Sequence, residues 1–508
     1  MQKILLLCAA FAVGSVGAAD VVTYEAFGAA GDGKTDDLAA IVAAHAAANA
    51  RGVPVRAGDG KTYYIGKGTA TAEIRTDVDF GTAAFVIDDR EVPPDGRTAA
   101  IFRIVPSAKP VAVKGVKSLA AGQANLGASL PGPCLVEVMD GTARQYIRHG
   151  LNQNNGSPKR EVLLAAADGT VDPATPIVWD YGKVTYAVAR PLDATTLTVK
   201  GGRFTTIANQ AESKYTYYAR GLAVNRSNVR IEGLRHDVTG EGDHGAPYGG
   251  FIAISFAANV LVTNGIFTAH KTYNTIGSAG KPVSMGSYDL TVNHSVNVSF
   301  VNCRQTTDIN NGRYWGILCS NYSRNMCYDG CAFSRFDSHM GVANAIVRNS
   351  ELGYVGINAI GFGTFLVENT TVRSASFFNL RSDYGSTWRG DFIVRNCTFV
   401  PRNGQKAVGT LVNGHSTDWH DFGYPCYMPR RIVVDGLKID DSNHPDKYDG
   451  PFVFGMFNSK NTSAGYVEKF PYHVTEEVVL KNVTTASGKP VNLSPNAWMF
   501  RNVKVVRE

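Results

Sequence analysis

Asn325-Met-Cys-Tyr-Asp-Gly330, Asn344-Ala-Ile-Val-Arg-Asn349, Thr364-Phe-Leu-Val-Glu-Asn369 and Asp391-Phe-Ile-Val-Arg-Asn396 are four copies of one short phrase. Each is a strand-length run with apolar residues at alternate places. Each closes on Asn or Gly, the two residue types that tolerate the left-handed backbone of a tight turn. The phrase occurs earlier as Asn228-Val-Arg-Ile-Glu-Gly233, Asn259-Val-Leu-Val-Thr-Asn264 and Asn297-Val-Ser-Phe-Val-Asn302. It returns later as Arg431-Ile-Val-Val-Asp-Gly436 and Glu477-Val-Val-Leu-Lys-Asn482. Successive closing residues lie 31, 38, 28, 19, 20, 27, 40 and 46 positions apart. The two shortest intervals leave no room for a strand–helix–strand crossover, but they fit one coil of three short strands. Longer intervals are then loops inserted into the same coil. Such a period marks a solenoid, whose coils stack about 4.8 Å apart so that equivalent side chains form ladders. A β-sandwich would instead show hairpin turns such as Asn-Gly at regular spacing, and few are present. The expected fold is all-β: a right-handed parallel β-helix whose core spans residues 225–485.

The ladder also accounts for cysteines. Cys303, Cys331 and Cys397 each follow the closing residue of a coil, which places them as buried thiols in a stack rather than as disulfides. No CxxC pair or His-rich spacing points to a zinc site.

Ahead of the coils, Tyr24-Glu-Ala-Phe-Gly-Ala-Ala-Gly-Asp-Gly-Lys-Thr-Asp-Asp37 leads into an Ala-rich stretch, 38–50, that reads as a helix. Thr35 or Asp36 is placed to cap it and Gly52 to end it. Leu38, Ile41, Val42 and His45 share one face, and a helix there would cover the open end of a solenoid. His45 is read as a core residue. Gly-Asp-Gly-Lys-Thr lacks the spacing of a phosphate loop and is read as a turn.

The segment Phe27-Gly-Ala-Ala-Gly-Asp-Gly-Lys-Thr-Asp-Asp37, with its Ala-rich helix and Gly52-Val-Pro-Val, resembles the start of the pectate-lyase superfamily of β-helix proteins. That superfamily holds polysaccharide lyases, glycoside hydrolases, epimerases and phage tailspikes. The resemblance implies the fold and a polysaccharide substrate; it does not fix the reaction. Residues 20–69 are read as cap and first coil, and 70–224 as early irregular coils or an inserted β-domain. Residues 486–508 are read as a tail or C-terminal cap.

Lys3, the apolar run Ile4–Val13 and the small residues Val16-Gly17-Ala18 have the form of a secretory signal peptide over residues 1–19. This points to a secreted or periplasmic protein and argues against a virion component. No stretch reaches the roughly 20 apolar residues of a membrane helix, so no membrane partner is expected. A formal net charge of +6 over 508 residues is too mild to suggest nucleic acid, and a modest positive field favours an acidic substrate. The chain is expected to be a monomer or a homotrimer.

The coils between about 303 and 390 concentrate polar and aromatic side chains. Aligning Gly316, Gly341 and Gly356 sets Tyr314, His339 and Tyr354 side by side. A second register, matching Asp337–Gly341 with Arg381–Gly385, sets Asp383 beside His339. Either arrangement suits β-elimination at a uronate, where the carboxylate must be neutralised and the C5 proton removed. His339 is the expected base, Tyr314 or Tyr354 the acid or alternate base, and Arg381 the group that neutralises the carboxylate. Arg313, Trp315, Arg335, Asp337, Asn358, Asp383, Tyr384, Trp388, Arg389 and His244 are expected to bind substrate, the aromatic rings by stacking on sugars. His270, Lys271 and Tyr424 are expected in outer walls of the groove. Many members of the resembling superfamily use calcium with an Arg or Lys base. Asp308, Asp337, Asp383 and Asp391 do not align as a calcium site would need, so no cofactor is expected, with calcium kept as the alternative. Two alternatives stay open: a glycoside hydrolase with Asp337 and Asp383 as its two carboxylates, and a non-catalytic carbohydrate-binding β-helix.

Overall fold

The computed structural model describes residues 20–147, 156–211, 216–243, 245–277, 280, 282–316, 318–415, 424–468 and 470–508. The signal-peptide reading of residues 1–19 lies outside them. Within them, thirty-one strands join in one continuous, parallel, hydrogen-bonded array. The chain winds it as a right-handed β-helix with three faces.

The first face carries the repeated phrase, and its register reproduces the sequence intervals. Val229 pairs with Val260, then Val298, Met326, Ala345, Phe365, Phe392, Ile432 and Val478 in turn. The offsets are the same 31, 38, 28, 19, 20, 27, 40 and 46 read from the closing residues. Alternation puts Val298, Met326, Ala345, Phe365 and Phe392 inside, fully buried.

Both ends of this strand turn through left-handed backbone. Asn228, Asn259, Asn297, Asn325 and Asn344 open it with φ of 54° to 58°, and Asn264, Asn302, Asn349, Asn369 and Asn396 close it at 48° to 54°. At the opening corner the amides form a column: each Nδ2 donates to the Oδ1 of the coil before, from Asn259 on Asn228 to Asn344 on Asn325, at 2.9–3.2 Å. Asparagine is therefore needed twice over, for its φ and for its amide.

The second face begins after the closing corner, at Arg235, Ile266, Arg304, Ala332, Glu351 and Thr371. Cys303, Cys331 and Cys397 lie just before it, buried and free, with thiols directed at backbone carbonyls such as Val262 O and Val367 O. The third face runs through Leu222, Ile252, Leu290 and Leu318, and further on through Ile357 and Phe378. Long loops enter between the second and third faces, and others at the corner from third to first.

The helix, Leu38–Arg51, packs Leu38, Ile41, Ala44, His45 and Ala48 onto the first coil and ends at Gly52 with φ 67°. Its cap differs from expectation. Asp37 occupies the cap position with no side-chain cap bond, because its carboxylate turns back to accept from the amides of Ala30 and Gly31. Asp36 accepts from Leu38 N instead. His45 meets the Tyr24 hydroxyl at 3.0 Å, and burial pushes its pKa down to about 3, so it is a neutral core residue.

Between Ile104 on the third face and Leu197 on the first, the chain leaves the coils. It builds a four-stranded antiparallel sheet from Val111–Ala112, Cys134–Gln145, Ser157–Ala165 and Tyr186–Pro191, with its own apolar core around Val136, Val138, Leu163 and Tyr181. This domain lies along the third-to-first corner. Glu161 forms a fully buried ion pair with Arg324 of the coils, and Glu137 meets Arg160, Arg190 and His294. At the far end Lys504–Arg507 pairs with Glu477–Leu480 as a further first-face strand, so the last residues extend the solenoid.

Candidate functional site

On the outer side of the third face, Asp337 stands in register with Asn358, and Asn358 with Asn379. Two residues further along the same side come His339 and Arg381. The His339 Nδ1 lies 2.9 Å from the Asn321 Oδ1. Asn321 has its amide oriented by the bond from its Nδ2 to Asn293 Oδ1 at 2.7 Å. His339 therefore carries hydrogen on Nδ1, leaving Nε2 as the basic nitrogen of its neutral form. Arg381 grips Asp383 through Nε and Nη2 at 3.1 and 2.7 Å. Tyr384 stands edge-on to His339 at 5.6 Å, and the Arg381 guanidinium lies 5.3 Å from its ring centre. His339, Arg381, Asp383 and Tyr384 are thus brought together.

Neither expected register is formed. Asp337 aligns with Asn358 and Asn379, so the second register is out by two residues. The first, which sets Gly341 against Gly356, is out by six against the observed pairing of Arg335 with Gly356. Both errors are even, so the side chains keep their face but change neighbours. Tyr354 braces the loop by donating to the Tyr314 carbonyl. Burial pushes its hydroxyl up to about 12. Tyr314 packs beside the core.

Several expected sugar contacts are interior. Trp388 is fully buried, donates to Gly363 O at 2.9 Å and packs on Phe365 and Phe392. Arg335 and Asp337 form a fully buried ion pair, roofed by Trp315 and Tyr288, whose rings lie 5.1 and 5.6 Å from the guanidinium. Trp315 serves as that roof, its ring against Gly286 and its Nε1 on the Tyr288 hydroxyl. Asn358 is buried and accepts from Asn379, and Tyr384 is buried against Tyr146, Tyr322 and Ile360. Arg313 is exposed and paired with Asp243 at 3.0 Å. His244 lies outside the described residues.

Arg389, by contrast, is exposed, and it stands in a groove that the sequence reading did not foresee. A cavity of about 540 Å³ opens between the inserted domain and the coils, lined by Arg144, Tyr146, Lys159, Trp179, Arg389 and Tyr427 among others. The Arg389 guanidinium lies 5.2 Å from the Trp179 ring and 5.5 Å from the Tyr427 ring, close enough for cation–π attraction to both. Lys159 faces the same indole at 5.9 Å, and burial lowers the pKa of its ammonium against the pull of Asp180. Among the described residues Arg389 has no ion-pair partner. Arg144, Lys159 and Trp179 were missed because nothing periodic in the sequence brings residues 144–179 to coil residue 389. The one legible sign was Trp388-Arg389 itself, whose two side chains point to opposite sides.

His270, expected in an outer wall, is also interior. Its Nδ1 lies 3.0 Å from Glu241 and its Nε2 3.3 Å from Asp289, which in turn holds His236 Nδ1 at 2.6 Å. Burial alone would lower His270, but Glu241 and Asp289 raise its pKa to about 9. No group of three or more His, Cys, Asp or Glu side chains among the described residues is arranged to hold a metal ion.

No family model matches the chain. A capsule KL64-specific depolymerase of Klebsiella phage P510 is 28% identical over 143 residues, 25% of this chain. That match spans only 13% of the depolymerase's length. Among solved structures, the tailspike Gp54 of Acinetobacter baumannii phage AP22, in complex with capsular saccharide, superposes over 93% of this chain and 74% of its own. The TM-score is 0.48 at 12% identity. The tailspike gp49 of Pseudomonas phage LKA1 covers 95% of this chain and 84% of its own, with TM-score 0.46 and 13% identity. The architecture is a right-handed parallel β-helix, the fold that the resemblance of Phe27–Asp37 implies.

Proposed function

We propose that the chain depolymerises an acidic polysaccharide, holding it in the groove at Arg389 and cutting it by β-elimination. The observation that carries this reading is Arg389 itself. It is an exposed cation with no carboxylate partner among the described residues, set between two aromatic rings, with Arg144 and Lys159 in the same cavity. A uronate carboxylate meets a guanidinium best through two parallel hydrogen bonds, and the flanking rings suit the apolar faces of sugars.

Hydrolysis is the weaker reading. It needs two carboxylates flanking the bond to be cut. Asp337 is sealed from solvent by its own ion pair, and Asp383 is occupied by Arg381. For elimination, Arg389 neutralises the carboxylate. Lys159, across the same indole and with its ammonium weakened by burial, takes the C5 proton as its neutral amine. The electron pair of the C5–H bond forms the C4=C5 double bond as the C4–O bond breaks, and the departing oxygen takes a proton from the new Lys159 ammonium or from water. A second version keeps His339 as the base and Arg381 as the neutralising group, favoured by the amide that fixes Nε2 as the basic nitrogen. It is weakened because Asp383 already occupies two Arg381 donors, and because His339 does not line the groove.

Ultraviolet absorbance of the unsaturated uronate product, followed over a panel of acidic polysaccharides, separates these readings. Lys159→Ala should lower the rate roughly 10²–10⁴-fold, the usual worth of a general base, while His339→Ala stays near wild type. The reverse pattern moves the chemistry to the third face. New reducing ends without the chromophore would overturn elimination altogether.

A further inference from the structure

The groove does not stop at Arg389. A second cavity of about 320 Å³ shares Arg389 and Tyr427 with the first and continues past Arg430 and His473. A third, of about 650 Å³, shares Val474 and Glu476 with the second and ends at Trp498 and Arg501. The three follow one row of the first face. Asp391 pairs with Arg431, Arg431 with Glu477 and Glu477 with Lys504, so Gly363, Gly390, Arg430, Glu476 and Val503 stand one above another at the opening corner. Four coil steps at about 4.8 Å give a track of roughly 19 Å along the axis.

Rings line it at intervals. Trp179, the Arg389 guanidinium and Tyr427 follow one another, and His473 stacks on Tyr427 at 4.6 Å and 12°. Tyr427 and His473 are held in register by a short parallel pairing between the two corner loops. At the far end the Arg501 guanidinium lies 4.0 Å over the Trp498 ring.

The charge changes along this track. Arg144, Lys159 and Arg389 crowd the end beside the inserted domain, where Asp180 supplies one opposing charge. Arg430 is paired with Asp391 at 3.1 Å. The cavity at Trp498 is lined by Glu468 and Glu476 as well as Arg501, with Asn461, Ser463 and Tyr466. One end therefore suits an acidic sugar and the other suits uncharged, hydroxyl-bearing sugars stacked on an indole.

We infer that Trp498 forms a distal subsite of a continuous track, and that the occupant is a heteropolysaccharide strand whose acidic sugars are separated by neutral ones. This rests on the proposed function and adds its substrate class. The elongated track makes affinity depend on chain length: a short oligosaccharide fills the Arg389 end, and only a longer strand reaches Trp498.

Affinity electrophoresis of the full chain in gels containing hyaluronan, gellan or polygalacturonate, with short oligosaccharides of the retarding polymer as competitors, tests this. Trp498→Ala should weaken retardation by an alternating polymer at least about fivefold while leaving competition by short oligosaccharides unchanged, and Trp498→Phe should restore most of the loss. Equal retardation of Trp498→Ala and wild type, or stronger retardation by polygalacturonate than by the alternating polymers, overturns the inference. If Arg389→Ala then still loses retardation, the proposed function survives it. No retardation by any of the three polymers overturns both.

Discussion

The coil interior and the seam of the inserted domain solve the same problem, burial, with opposite materials. Inside the coils, each strand meets only its neighbours, and the contacts are apolar rows closed by asparagine corners. At the seam, two separately built units meet through Glu161–Arg324, through Glu137 and Arg160 with His294, and through Arg190 lying 4.0 Å from the Phe256 ring. An apolar row tolerates exchange of one similar residue for another. A buried ion pair does not, because removing one partner leaves an uncompensated charge out of water. The seam is therefore the place where single substitutions should act most sharply.

The largest expected effect follows from that contrast. Arg324→Met should destabilise the protein by about 3–5 kcal/mol, and adding Glu161→Gln should recover most of it. Denaturant unfolding of the three proteins decides the matter. A double variant no more stable than the single one would show that the arginine matters for its shape rather than its charge.

The buried triad of His270, Glu241 and Asp289 extends the contrast into the loops. His270 has its pKa raised to about 9 in the folded state from an ordinary value near 6.5. Its stabilising contribution is thus complete below about pH 6.5 and lost as pH rises through about 9, an effect of roughly 3 kcal/mol. Unfolding free energy measured from pH 6 to pH 10 should fall in the wild type relative to His270→Gln. Parallel curves would mean the imidazole is neutral throughout.

A smaller loss, about 2 kcal/mol, is expected for Asn297→Ala, which leaves in left-handed backbone a residue that tolerates it less well than asparagine and interrupts the amide column. Asn297→Gly keeps the backbone and loses only the amide, so it should fall between Ala and wild type. If Gly matches wild type, the column carries little and the corners are a matter of φ alone.

The same contrast explains what the sequence revealed. All eight coil offsets were legible because the phrase repeats and its turns need Asn or Gly. The shared side of His339 and Arg381 follows from alternation beyond the paired Asp337 and Asn379, whereas Asp383 lies in the helical turn Ser382–Tyr384. The neighbours of these residues were not legible, because the glycines used to align them do different work. Gly316 leaves room for the stem of Arg335, Gly341 turns the corner before Val342 at φ 64°, and Gly385 closes a single helical turn at φ 85°. Trp388 and Arg389 looked alike as candidates, yet one faces the core and the other the groove. Nothing local foretold that residues 144–179 would lie against residue 389, since the seam is written in pairs far apart in the chain.

The row Gly363, Gly390, Arg430, Glu476 and Val503 has a consequence for how such a surface changes over generations. Every member sits at the same corner of a different coil, and each coil is held only by the two beside it. Duplicating or deleting one turn of the winding would lengthen or shorten that edge by a single rung without rebuilding the interior. Reach along the corner can thus be inherited as a count of turns, while chemistry at any rung is altered by ordinary substitution.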